Sequence, residues 1–117
     1  MRVRTEFWVK AYLRLAAIGG CPGVVVRHGD DTAGAIFIKV NRLDGTVALF
    51  GPAPAGLDEA DTERRFMPIH GERRLSEPEA DALLASEQKF DSDLWMIEIE
   101  SAGGAHFLDG WLFATPQ

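Results

Sequence analysis

The chain has 117 residues, a net charge of −6, and 46% hydrophobic and 26% charged residues. Single domains typically hold roughly 50–200 residues, so this length predicts one domain over 1–117, and the apolar content excludes a disordered chain. The acidic balance disfavours nucleic acid as a partner, because phosphate binding needs a dense basic face. Cys21 is the only cysteine, which excludes an intramolecular disulfide.

Residues 5–18 have the periodicity of a helix. Its apolar residues cover more than half of the helical circumference and leave Lys10 and Arg14 as a narrow polar stripe. A surface helix normally has a narrower apolar face, so we expect this one to be covered on several sides or to meet another subunit. Gly19-Gly20 and Pro22 end it, too early for the span of about 20 apolar residues that crosses a membrane. We therefore expect a cytoplasmic protein without membrane contact.

A short strand over 23–27 precedes the strongest local signal in the chain, a hairpin within 34–54. Asp44-Gly45 between two apolar runs is typical of a two-residue hairpin turn, which places Val40 opposite Leu49 and Lys39 opposite Phe50. One face then carries Ile38, Val40, Val47 and Leu49. The other face carries Phe37, Lys39, Asn41, Ala48 and Phe50.

The second half of the chain adds two strands, a helix and a second hairpin. Residues 64–69 predict a strand at an edge, because Pro68 cannot donate to a ladder. Ser76 and Glu79 have capping-box spacing and begin a helix that runs to about Lys89. Residues 94–101 alternate like a half-buried strand, and Gly103-Gly104 predicts a hairpin that pairs Ile99 with Leu108.

These elements predict an α+β domain in which both helices pack on one face of an antiparallel sheet of about five to six strands. If the helices cover the aliphatic face, the other face is open and forms a candidate ligand site. Arg65, in a neighbouring strand, adds a second cation to this face. Such a site suits an acidic or planar ligand. The alternative interpretation is a solvated sheet face, with Lys stems lying across aromatic rings and Arg65 in a surface ion pair. The candidate ligand-binding residues are Phe37, Lys39, Asn41, Phe50 and Arg65.

No residue pattern indicates catalysis, a metal or a cofactor. His28, His70 and His106 lack the spacing of a metal site and are typical of surface turns. Cys21 follows a helix C-terminus, where the helix dipole disfavours a thiolate. We therefore expect no metal, no cofactor and no catalytic residue.

Several stretches together resemble an alphaproteobacterial family that carries only a domain-of-unknown-function label, number 1491. The resemblance covers nearly the whole chain and implies one intracellular bacterial domain, without catalytic residues to transfer. The stretches that carry it are Glu6-Phe7-Trp8-Val9, Tyr12-Leu13-Arg14, the run from Gly34 to Asn41, the run from Leu49 to Pro54, Arg64-Arg65-Phe66 and the run from Phe90 to Trp95.

The sequence favours a non-enzymatic interaction module that self-associates. A homodimer would form through Trp8 and Tyr12 of the first helix, or through Trp111 and Phe113 of the apolar tail. The alternative is a small enzyme or ligand-binding protein with an anion-accepting site around Lys39, Asn41 and Arg65.

Overall fold

A computed structural model describes residues 3–54, 64–69 and 74–112. Two α-helices, six strands and one short 3₁₀ helix make up this part of the chain. In chain order the elements are α1 (Thr5–Ile18), β1 (Gly23–Arg27), β2 (Ile36–Asn41), β3 (Thr46–Pro52), β4 (Phe66–Pro68), β5 (Leu75–Ser76), α2 (Glu77–Phe90), β6 (Trp95–Glu100) and the 3₁₀ helix Asp109–Trp111.

The six strands form one open sheet in the order β1-β6-β2-β3-β4, with the two-residue β5 also paired to β3. All pairs are antiparallel except β2 with β6, which run parallel at the centre. The α+β class and the strand number are confirmed. The parallel pair and β5 were not predicted, because both depend on contacts between residues far apart in the chain.

The first helix has the predicted bounds and ends as predicted. Gly20 takes a left-handed backbone conformation at φ +84°, and its amide donates to the Ala17 carbonyl. A side chain there would be strained, which is why glycine suits this position. The buried face of α1 carries Trp8, Val9, Tyr12 and Ala16, and it packs on Ile38, Val40, Ile97 and Ile99 of the sheet.

The two helices lie on opposite faces of the sheet, so the prediction of both on one face is wrong. Ala80 and Leu84 of α2 pack in a second core with Phe37 and Met96. These sheet residues alternate along β2 and β6 with the residues that contact α1. Each strand therefore presents apolar side chains to both helices, and each face of the central sheet is closed by a helix.

The predicted hairpin joins β2 to β3, but its register differs by one residue. Val40 pairs with Ala48 and Lys39 with Leu49, around a three-residue loop from Leu43 to Gly45. The Asn41 side-chain oxygen accepts the Leu43 amide, and both Leu43 (φ +62°) and Gly45 (φ +88°) are left-handed. Burial of only one face of the hairpin would have fixed the register from the apolar pattern. Here both faces are buried, so shifting β3 exposes neither apolar set.

The second predicted hairpin, about Gly103-Gly104, is absent from the described part of the chain. After β6 the chain turns and continues irregularly to the 3₁₀ helix. β6 already pairs with β1 on one side and β2 on the other, so no edge remains for a returning strand. The end of the described chain packs on α1: the Trp111 ring lies edge-on against Trp8, with ring centres 5.2 Å apart. Phe113 lies outside the described residues.

The predicted capping box begins α2. The Ser76 hydroxyl accepts the Glu79 amide at 3.2 Å, and the Glu79 carboxylate accepts the Ser76 amide at 3.2 Å. Pro78 occupies the first turn, where a missing amide costs nothing. Leu75, just before the cap, is buried in the same core as Ala80.

Removing the Ser76 hydroxyl tests the contribution of this cap. We expect Ser76→Ala to lower the free energy of unfolding by about 1 kcal/mol, because one amide of the first turn loses its acceptor. Urea unfolding followed by circular dichroism measures the change. Ser86→Ala, an exposed position in the same helix, is the control and should change the stability little. Equal effects of the two substitutions would contradict a capping role for Ser76.

Candidate functional site

The predicted site residue Lys39 lies beneath α2, in the middle of an ionic cluster. Its side chain is 9% exposed, and the Nζ atom lies 3.1 Å from Glu77 Oε1, 3.1 Å from Asp81 Oδ1 and 3.5 Å from Glu98 Oε1. β2 supplies the lysine, the first half of α2 supplies two of the carboxylates and β6 supplies the third. We call these four residues the Lys39 cluster.

Asn41 extends the Lys39 cluster along β2. Its Nδ2 atom donates to Glu77 at 3.2 Å and to Glu98 at 3.4 Å, so lysine and amide share two acceptors. The sequence therefore placed Lys39 and Asn41 on one face correctly. The premise that this face is open is wrong, because α2 covers it.

The electrostatics of the Lys39 cluster disfavour both a nucleophilic lysine and the binding of an acidic ligand. Burial opposes the charged ammonium, but hydrogen bonds to Asp81 and Glu77 and the nearby Glu98 charge outweigh it and raise the pKa of Lys39 above its usual 10.5. A lysine held protonated cannot act as a nucleophile at neutral pH. Three carboxylates around one ammonium also leave the cluster net negative, which repels an anionic ligand.

The structure separates the other predicted site residues. Phe37 shares the α2 face with Lys39, but Phe50 lies on the α1 face, 5.1 Å from the His106 ring. Arg65 lines a different pocket, of about 260 Å³, with Arg64 and Asp91. Both arginines already have partners: Arg64 donates to the Val3 carbonyl and the Thr5 hydroxyl, and Arg65 to the Arg64 carbonyl. The five residues do not converge on one surface.

The described histidines belong to separate local structures. His28 contacts Asp31 at 2.5 Å and packs its ring on Trp95, while His106 accepts the Leu108 amide through Nδ1. His70 lies outside the described residues. Over the described ranges, no three His, Cys, Asp or Glu side chains are placed to hold a metal ion. No helix in the same ranges is long and apolar enough to cross a membrane.

Trp8 and Tyr12, two of the four residues predicted for a dimer contact, do not lie on the surface of α1. Trp8 is 6% exposed and Tyr12 is fully buried, with its hydroxyl donating to the His106 carbonyl at 2.7 Å. Burial raises the pKa of Tyr12 far above its usual value. These two aromatic rings stack on each other inside the chain's own core, so they are not exposed to another subunit.

The exposed apolar surface instead lies on β1, the outermost strand at one end of the sheet. Val24, Val25 and Val26 are 61%, 38% and 59% exposed, and we call them the β1 strip. In the described chain, no strand pairs with the outer edge of β1. Sequence reasoning predicted this strand but did not predict that it lies at the edge of the sheet. The available signal was its place between a helix and a turn, without a hairpin partner next to it in the chain.

On the α2 face of the sheet, α2 extends as far as Met96 of β6 and leaves β1 uncovered. Val24 lies opposite Glu98 on this face, and Val26 lines a groove with Leu84 and Met96. Asp81 and Glu98 form the charged wall of the groove. Its volume is about 170 Å³, whereas small-molecule sites usually hold about 300–1,000 Å³. We call this surface, made of Val24, Val26, Leu84, Met96, Asp81 and Glu98, the shelf.

The described residues thus form a small α+β domain: a six-stranded sheet with a helix on each face and an exposed apolar strand at one edge. Residues 3–109 match the family model described as protein of unknown function (DUF1491), and the chain belongs to this family.

Two solved structures show the same fold at substantial sequence identity. A DUF1491 family protein from Caulobacter crescentus CB15 is 37% identical, with a TM-score of 0.78 and coverage of 97% of this chain and 100% of that one. Protein Atu0922 from A. tumefaciens is 36% identical, with a TM-score of 0.81 and coverage of 100% and 99%. No curated protein matches the chain.

Proposed function

We propose that this protein is a non-enzymatic interaction module that self-associates through the outer edge of β1. The observation that supports the proposal is the β1 strip: three consecutive valines exposed on a terminal strand. Single exposed apolar residues need no explanation, but a contiguous apolar patch on an unpaired edge is typical of an interaction site.

The β1 edge also lacks most of the features that keep edges from pairing. Lysine, proline and inward-pointing charges commonly protect such edges. Within Gly23–Arg27 the only charged residue is Arg27, at the end of the strand. One protective feature is present, a bulge between Val25 and Arg27. The bulge shortens the regular edge, so we expect a weak association.

A second copy of the chain is the occupant that fits this strand. In an antiparallel pair about a two-fold axis at Val25, Val25 lies beside its own symmetry mate and Val24 lies beside Val26 of the other copy. Every apolar residue then meets another, and Arg27 meets Gly23 instead of a second cation. A contact limited to one short strand from each copy is smaller than a stable interface. We therefore expect a transient dimer, with a dissociation constant weaker than about 1 µM.

Changing Val25 to lysine tests the dimer. Because the axis passes through this position, Val25→Lys places two ammonium groups opposite each other, which is destabilising in a sheet. We expect the wild-type chain to dimerise with rising concentration in sedimentation equilibrium, and the variant to need at least tenfold higher concentration. Met67→Lys is the matched control, because Met67 is 37% exposed on β4, the strand at the opposite end of the sheet.

A charge-swap experiment tests whether Val25 of one copy lies beside Val25 of the other at the two-fold axis. Val25→Glu alone should also be monomeric, whereas an equimolar mixture of Val25→Lys and Val25→Glu should form a heterodimer through opposite charges. A wild-type chain that stays monomeric at millimolar concentration would overturn the proposal. So would a mixture that stays monomeric, or a Met67→Lys variant that dissociates as fully as Val25→Lys.

The alternative, an enzyme or ligand-binding protein with an anion site around Lys39, Asn41 and Arg65, has less support. Lys39 and Asn41 are held by carboxylates, and Arg65 lines a different pocket. Sulfate titration monitored by the amide signals of these residues tests this alternative directly.

A further inference from the structure

Along β1, no element of the described part of the chain covers the shelf. Strands in a sheet are spaced about 4.8 Å apart and a helix with its side chains is about 10 Å wide, so one helix covers about two strands. On this face α2 packs mainly on β3. α2 also reaches β6, because Leu84 packs with Met96, which is 9% exposed, so the open part of this face is β1 and a second helix would lie along β1 at the border of α2.

The floor of the shelf is apolar and accessible. Val24 and Val26 are each about 60% exposed on β1. Leu84 and Met96 lie deeper, between α2 and β6. A helix placed here would cover the valines with its own apolar stripe, in the way that α2 covers Phe37 and Leu49.

The walls of the shelf carry negative charge that Lys39 does not neutralise. The Asp81 and Glu98 side chains are 63% and 26% exposed, and with Glu77 they place three carboxylates around one buried ammonium. Asp81 is the more accessible of the two, whereas the second oxygen of Glu98 already accepts from Asn41. An apolar floor with acidic walls complements a helix that has leucine-like side chains on one face and lysine or arginine at its borders.

We infer that the shelf binds a basic amphipathic helix of a partner protein, against Val24 and Val26 and beside the Asp81 and Glu98 carboxylates. This interaction goes beyond the proposed self-association, although Val24 and Val26 take part in both. The shelf lies on the α2 face of the sheet, whereas the dimer uses the outer edge of β1. Val25, the residue at the dimer axis, lies opposite Ile97 on the α1 face and takes no part in the shelf.

A designed peptide tests the inference. The probe is a fluorescein-labelled helical peptide of leucine and lysine, with leucine on one face. A second peptide has glutamate at every lysine position. We expect only the lysine peptide to bind in fluorescence anisotropy, with an affinity that falls several-fold at high salt. Amide chemical-shift changes should concentrate at Val24, Val26, Leu84 and Met96.

Matched charge variants separate a specific site from general attraction to an acidic protein. Asp81→Asn with Glu98→Gln should weaken binding about tenfold, because exposed ion pairs each contribute modestly. These substitutions keep acceptor oxygens for Lys39, and thermal unfolding checks that the variant folds. Glu87→Gln with Asp109→Asn removes the same charge from exposed positions outside the shelf, and it should change the affinity less than twofold.

Three outcomes would overturn the inference: equal weakening by both double variants, equal binding of the glutamate peptide, or shift changes centred outside the shelf. The two proposals fail separately. A wild-type chain that is monomeric but binds the lysine peptide at the shelf refutes only the self-association. A wild-type chain that dimerises but does not bind the lysine peptide refutes only the proposal that the shelf binds a helix. Val25→Lys should keep the peptide affinity of the wild type.

Discussion

Lys39→Met will lower the free energy of unfolding by about 2–3 kcal/mol. Methionine keeps the unbranched apolar stem between β2 and α2 but removes the ammonium, leaving three carboxylates to repel one another. Breaking a fully buried ion pair costs about 3–5 kcal/mol. We expect a smaller effect because the Glu77 and Asp81 side chains are 49% and 63% exposed, so water screens their repulsion.

Denaturant unfolding at neutral pH measures this effect, with Lys10→Met as the control. Lys10 is exposed on α1, so its replacement should change stability by less than about 0.5 kcal/mol. Adding Asp81→Asn to Lys39→Met should restore part of the stability, because it removes one of the repelling charges. A Lys39→Met variant as stable as the control would show that the cluster contributes nothing.

The stabilising effect of Lys39 also has a defined pH dependence. Its folded-state pKa is raised above the ordinary 10.5, so the protonated form is favoured by folding. The contribution is fully present below pH 10.5 and is lost as the pH rises through the folded-state pKa. The stability difference between wild type and Lys39→Met should therefore be constant near neutrality and narrow only in strong alkali.

Trp8→Ala is expected to cost about 3–5 kcal/mol, the range for removing a large aromatic side chain from a core. The Trp8 ring is 6% exposed and contacts the rings of Tyr12, Phe66 and Trp111, with centres 5.0–5.2 Å apart. The adjacent Phe7 is 53% exposed and packs under the Arg4 guanidinium. Phe7→Ala should cost less than about 1 kcal/mol.

Comparing Phe7→Ala with Trp8→Ala also shows whether Trp8 belongs to a subunit contact or to the core of its own chain. If Trp8 formed a subunit contact, as the sequence suggested, Trp8→Ala would weaken association and leave the unfolding of the monomer unchanged. From its burial, we expect the reverse. Urea unfolding at a concentration below dimer formation separates the two cases, and similar losses for Phe7→Ala and Trp8→Ala would contradict this orientation of α1.

The candidate site was only partly predictable from sequence. Alternation along β2 placed Lys39 and Asn41 on one face, which the structure confirms. Alternation along β3 did not place Phe50 correctly, because the loop has three residues instead of two and every side chain of β3 changes face. The partners of Lys39 were not predictable, since Asp81 lies 42 residues further along the chain.

The sequence by itself determined the local elements: α1 and its glycine end, the capping box of α2, the central strands and the family. Each depends on residues within a few positions of one another, where periodicity and capping act. Only the tertiary structure decided which helix covers which face, that β2 and β6 run parallel, and that β1 is an exposed edge. These features depend on contacts between distant segments, and burial on both faces of the sheet removed the one-sided pattern that would have predicted them.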